Sequence, residues 1–182
     1  MKFKTELSIL DQYATGILPK SLFFFLGIIL LSISSKISIP FYPVPMTLQT
    51  FVVYFIAASM GMVGFYSTVS YVLLGLMGLP IFAAGGGLGY IMSPTFGFLY
   101  GMILSSLAIA YLSKGLFEKK IIKISFAVFV GALVTFACGI IHLASFIGIE
   151  KAVIAGLVPF IYSEFLKIGL AVLAVYLLIK KN

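Results

Sequence analysis

The sequence predicts an all-α integral membrane protein, a single bundle of about six transmembrane helices with both termini in the cytoplasm. Three observations predict it. First, of 182 residues 62% are hydrophobic and only 9% are charged, with a mean hydropathy of +1.23. A soluble domain carries about 25% charged residues, so this chain has too little polar surface to face water on every side. Second, apolar runs of helix length recur along the chain, separated by segments rich in Pro, Gly or Lys. Third, the lysines are distributed unevenly among those separators, as they are in proteins threaded through a bilayer.

The first run begins near Leu22 and ends near Ile37. The following Ser38–Pro45 holds three prolines and reads as an extended loop, because Pro removes a donor and restricts the residue before it. Span two is expected from Met46 to Met60, a tight turn at Gly61–Gly64, and span three from Phe65 to Leu79, each span about 15 residues long. Pro80–Pro94 is apolar, uncharged and rich in Gly. Left against lipid it would carry unsatisfied backbone groups, so a fold over the protein as a lid or pocket wall is expected. Span four is expected from Pro94 to Leu112, a basic solvated loop at Ser113–Lys123, span five from Ile124 to Ile147, and a polar turn at Glu150–Lys151. Residues 152–158 read as a short helix or an approach, and Pro159 suits the start of span six, which continues to Ile179. The whole of 1–182 is expected to be one membrane domain, with 1–20 a cytoplasmic segment that is not a cleavable signal, since it lacks an apolar core, and 22–179 the six-helix substrate-binding bundle.

With six spans the termini share a side. Nine of the twelve lysines then fall on that side, while the opposite loops hold only Lys36 and Lys151. The positive-inside rule makes the lysine-rich side cytoplasmic. The Pro-rich loop, the Gly-rich loop and the start of span six converge on the outer face.

Lys167 is the remaining lysine, and it lies within span six with Glu164. The two are spaced i, i+3, which puts them on one helix face, about 7 and 12 Å into the helix counted from Pro159. A charge at the bilayer centre costs roughly 2.5–3.5 kcal/mol on insertion scales. The pair is therefore either a structural ion pair near the interface or a ligand site offering one acceptor and one cation. Thr47 and Gln49, at the start of span two, supply either further polar contacts or interhelical hydrogen bonds.

Other chemistries are excluded or disfavoured. One Cys (Cys138) and one His (His142) build neither a disulfide framework nor a metal centre. No G-x-x-x-x-G-K-[ST] phosphate loop is present, so the chain does not hydrolyse ATP by that route. No Ser–His, paired-carboxylate or metal arrangement suggests an enzyme. His142 reads as a packed or interhelical group, Cys138 as a small core residue, and Ser32, Ser34 and Ser35 as small residues that permit close helix approach. The net charge of +7 is explained by topology rather than by nucleic acid, and no cofactor is expected.

Three blocks resemble a known family. Lys36–Thr50 (KISIPFYPVPMTLQT) is similar to I-P-x-x-P-V-P-x-T-L-Q-T. Leu74–Tyr90 (LGLMGLPIFAAGGGLGY), followed by Ser93–Phe98 (SPTFGF), is similar to L-L-G-x-x-G-L-P-V-F-A-G-G and G-P-T-x-G-Y. Pro159–Lys167 (PFIYSEFLK) is similar to P-F-x-P-G-D-x-x-K. Together they resemble BioY, the biotin-binding S component of energy-coupling-factor (ECF) transporters, over about Leu22–Leu178. Departures are Glu164 for the family's Asp, Tyr162-Ser163 for its Pro-Gly, and Phe98 for its Tyr.

The resemblance implies a substrate-capture protein of the bacterial plasma (inner) membrane. It would take biotin from the outer face and deliver it inward with a membrane-embedded T component and two cytoplasmic ATPases. It implies that Glu164 accepts the ureido N–H groups and that Lys167 pairs with the carboxylate or the ureido carbonyl. Gln49 and Thr47 would add polar contacts. Phe41, Tyr42, Phe82 and Tyr90 either cover the ring system or simply pack. The Gly-rich loop, with Gly85 and Gly86, would close over the ligand. An S component for another vitamin or precursor, and a stand-alone carrier without ATPases, are the alternatives.

Overall fold

The computed structural model describes residues 17–113 and 121–180. Lys2, Lys4, Lys114, Lys119, Lys120, Lys181 and the N-terminal segment up to residue 16 lie outside the described residues. Six apolar helices form the bundle: α1 (Ile17–Lys36), α2 (Gln49–Met60), α3 (Met62–Leu76), α4 (Phe96–Leu112), α5 (Ile121–Ile147) and, after the eight-residue α6 (Ile149–Gly156), α7 (Ile161–Lys180). Short 3₁₀ turns occupy Leu88–Met92 and Val158–Phe160.

Helix lengths fall into two groups. α1, α5 and the α6–α7 region are long and apolar enough to cross a bilayer. α2, α3 and α4 have 12, 15 and 17 residues. At 1.5 Å per residue they are about 18, 22 and 25 Å long, short of the roughly 30 Å hydrocarbon core. α2 is shorter than expected because Met46–Thr47 is not helical. It pairs antiparallel with Ser38–Ile39 (Ser38 opposite Thr47, Ile39 opposite Met46), so the Pro-rich loop is a small hairpin and the helix starts at Gln49. Between α2 and α3 the break is Gly61 alone, at φ +58°, a left-handed conformation suited to Gly. α5 begins three residues earlier than expected, and Pro159 sits in the 3₁₀ turn that leads into α7 rather than at the first residue of α7.

α2 is the central helix and touches α1, α3, α4, α5 and α7. Its Val53, Tyr54, Ile56 and Ala57 are fully buried. Small residues bring α3 against it: a Cβ on Gly64 would collide with the Ile56 carbonyl oxygen. The outward faces are apolar, with Leu22, Phe25, Ile29 and Ile33 of α1 and Phe165, Leu166, Leu170 and Leu173 of α7 all exposed. Such a surface suits lipid rather than water.

A second apolar cluster of Val44, Phe98, Phe136, Leu143, Ala152 and Phe160 lies at the end of the bundle where both loops meet. The Gly-rich loop docks at the same end. Phe82 is fully buried in a notch over Gly75, where a Cβ would collide with its ring. Gly87 N–H donates to the Gly75 carbonyl at 2.7 Å. The loop is therefore held over the bundle, as expected for an uncharged segment that cannot face lipid.

Candidate ligand cleft

The charged pair of α7 faces inward. Glu164 and Lys167 are 6% and 7% exposed, although their neighbours Phe165 and Leu166 look out to lipid at 64% and 63%. Lys167 Nζ lies 3.2 Å from Glu164 Oε2. The central helix supplies the other partners. Tyr54 donates its hydroxyl to Glu164 Oε1 at 2.6 Å, and Thr50 donates to Oε2 at 3.2 Å. Lys167 Nζ in turn donates to Thr50 Oγ1 at 3.2 Å. Thr50 and Tyr54 are i, i+4 on α2, so one helix face presents both to the carboxylate.

These groups leave capacity for a ligand. A carboxylate has about four acceptor positions and an ammonium three donors. Glu164 accepts from three protein donors, and Lys167 gives two hydrogen bonds. Each retains one position, on the same helix face.

Above the pair is a cleft open at its mouth. Gln49, Thr50, Glu164 and Lys167 line it on the polar side, with Thr47, Thr95 and Tyr90. Its apolar wall is Phe98, Phe136 and Phe160, with Val44 and Met102. The three rings pack on one another with centroids 5.8–6.5 Å apart, in offset and edge-on arrangements favoured by aromatic quadrupoles. One end of the site is thus polar and charged, and one wall is aromatic and apolar.

Of the residues singled out from sequence, Glu164, Lys167, Gln49, Thr47 and Tyr90 come together at this cleft. The others do not line it. Tyr42 is 97% exposed. Phe82 is buried behind Tyr90, with ring centroids 4.7 Å apart, and carries the loop rather than the cleft surface. Gly85 and Gly86 shape the loop: Gly85 exchanges backbone hydrogen bonds with Phe82, and a Cβ on Gly86 would strike the Leu79 carbonyl oxygen. Phe41 reaches the aromatic wall only from behind, its ring 6.5 Å from Phe160. Sequence reasoning misses Thr50, Tyr54, Phe98, Phe136 and Phe160 at the site. Thr50, Phe98 and Phe160 lie in the three family-like blocks without being marked there as ligand residues, Tyr54 is signalled only by its i, i+4 spacing from Thr50, and Phe136 carries no signal.

The remaining special residues have structural partners. His142 packs among Phe96, Tyr100 and Phe146, with Nε2 3.1 Å from the Ser93 carbonyl. Cys138 is half-buried rather than a core residue. No group of His, Cys, Asp and Glu among the described residues could hold a metal ion.

Comparison with known proteins supplies the lineage. The BioY family model matches residues 11–181. The chain belongs to the BioY family. It is 38% identical to the biotin transporter BioY of Thermotoga maritima over 152 residues, covering 79% of this chain and 86% of that one. It is 35% identical to the probable biotin transporter BioY of Pyrococcus horikoshii over 151 residues, or 81% and 88% of the two chains. The fold matches a crystal structure of the S-component for biotin from an ECF-type ABC transporter, with a TM-score of 0.78, 25% identity and 94% of each chain covered. The resemblance carried by the three sequence blocks is therefore genuine kinship. As a member of the BioY family with these apolar helices, the chain is a multi-pass protein of the cell membrane. The named relatives are transporters rather than enzymes.

Proposed function

We propose that this chain is the biotin-capturing S component of an ECF-type uptake system. The observation that carries the proposal is the buried Glu164–Lys167–Thr50 cluster at the foot of a cleft with an aromatic wall. Biotin combines a planar ureido ring, an apolar body and a carboxylate. The free acceptor position on Glu164 suits a ureido N–H, and the free donor on Lys167 suits the ureido carbonyl or the carboxylate. Phe98, Phe136 and Phe160 suit the apolar body. The names of the relatives and of the matching structure support the same ligand.

In this reading the cleft opens outward and both termini are cytoplasmic. The Gly-rich loop opens to admit the ligand and closes over it. A T component and two ATPases then drive release inward. The chain brings no phosphate loop of its own, so ATP-driven release in this reading relies on those partners.

The test is labelled-biotin uptake in a biotin-requiring host, with this chain expressed alone and with a T component and ATPases. Uptake that needs the partners and is competed by biotin but not by other vitamins supports the proposal. Full uptake by the chain alone would make it a stand-alone carrier. Competition by a different vitamin would move the ligand.

A further inference from the structure

Gln49 is the first residue of α2, is 4% exposed and lines the cleft. Both ends of its amide are fixed. Thr47 Oγ1 donates to Oε1 at 3.0 Å, and Nε2 donates to the Tyr71 hydroxyl at 2.8 Å. The direction of the second bond follows from Tyr71 itself. A phenol has one proton, and that of Tyr71 goes to the Ile81 carbonyl, 2.9 Å away at the root of the Gly-rich loop. Only lone pairs of the hydroxyl are left to face Gln49. An amide turned by 180° would set Oε1 against them, so the network decides which end is nitrogen.

Tyr71 is itself held firmly. It is 1% exposed and meets Phe82 edge-on at 5.5 Å. Its acceptor, the Ile81 carbonyl, also receives Ser35 Oγ at 2.6 Å. Tyr71 does not line the cleft; it reaches a ligand either through Gln49 or through the Gly-rich loop and Phe82 that it also holds, and a double-mutant cycle separates the two routes.

We propose that Tyr71 is a positioning residue that locks the Gln49 amide. An amide offers two N–H donors and two carbonyl lone pairs. Thr47 and Tyr71 take one of each, which leaves one N–H and one lone pair of the same amide for the ligand. That pattern complements the edge of a planar urea or amide, where a carbonyl and an N–H are adjacent. The proposal deepens the biotin reading and rests on it: Gln49 would be a third polar contact to the ureido ring, and Tyr71 would set its orientation.

A double-mutant cycle tests this, with equilibrium binding of labelled biotin to purified protein carrying Tyr71→Phe, Gln49→Leu or both. Tyr71→Phe removes one oxygen and keeps the ring against Phe82. It is expected to weaken biotin binding about three- to tenfold, the effect of one positioning hydrogen bond. Gln49→Leu should weaken it at least as much. The double variant should be no weaker than Gln49→Leu alone, because Tyr71 acts through Gln49. Unchanged affinity in either single variant would overturn the proposal. So would a Tyr71→Phe loss that persists in full in the Gln49→Leu background and thus reflects a purely structural role. If the unaltered protein binds no biotin, the biotin reading itself has failed, and this proposal fails with it.

Discussion

Tyr54 of the central helix donates its hydroxyl to Glu164 Oε1 at 2.6 Å, joining two residues 110 positions apart. The bond ties α2 to α7 where neither can use water. Removing one partner leaves a buried acceptor without its donor, at a cost of about 1–3 kcal/mol. Tyr54→Phe should therefore lower the melting temperature of the detergent-purified protein measurably. A variant that melts with the parent would show that the contact contributes nothing to stability.

The ion pair makes a second prediction. Breaking a buried pair by removing one member costs about 3–5 kcal/mol, whereas replacing both by apolar residues of similar volume is often neutral. Glu164→Leu alone leaves Lys167 buried and uncompensated, so it should destabilise strongly. Glu164→Leu with Lys167→Met should recover most of the melting temperature and still fail to bind biotin. Recovery of stability without recovery of binding, read by thermal melting and ligand titration on the same samples, separates the structural role from the functional one.

Gly75 supports the loop. Its missing Cβ makes room for the Phe82 ring, and its carbonyl accepts from Gly87 N–H. Gly75→Ala should push Phe82 out of its notch, at roughly 1–3 kcal/mol for an overpacked site. The Gly-rich loop should then become more open to limited proteolysis. An unchanged digestion pattern would mean that the ring finds room without moving the loop.

Orientation is open to a labelling test. Tyr42 is 97% exposed on the Pro-rich hairpin. In a Cys138→Ser background, Tyr42→Cys should react with a membrane-impermeant maleimide on intact cells. Reaction only after permeabilisation would invert the topology.

What the sequence reveals depends on contrast. Glu164 and Lys167 stand out because a charge in an apolar run is rare, and their i, i+3 spacing already places them on one face. Gln49 is visible for the same reason. Phe136 is not, since one Phe among 18 in a hydrophobic chain carries no local mark of facing a cleft, and Phe98 and Phe160 are marked only by lying in the family-like blocks. Tyr54 and Thr50 gain their meaning only from α7, which is remote in sequence. The start of α2 is misplaced by sequence reasoning because Met46–Thr47 reads equally well as helix, and only pairing with Ser38–Ile39 makes it a strand. Tyr42 illustrates the reverse: an aromatic in a Pro-rich loop suggests a ligand cover, but the course of the hairpin turns it to the outside.

The most direct test of the account is the affinity of the purified protein for biotin, measured beside Glu164→Gln with Lys167→Met, a variant that keeps the shape of the pair and removes both charges. Saturable binding by the unaltered protein is expected, with a loss of at least about a hundredfold in the variant, the consequence of losing two charge-assisted hydrogen bonds. Equal biotin affinity in the two proteins would contradict it.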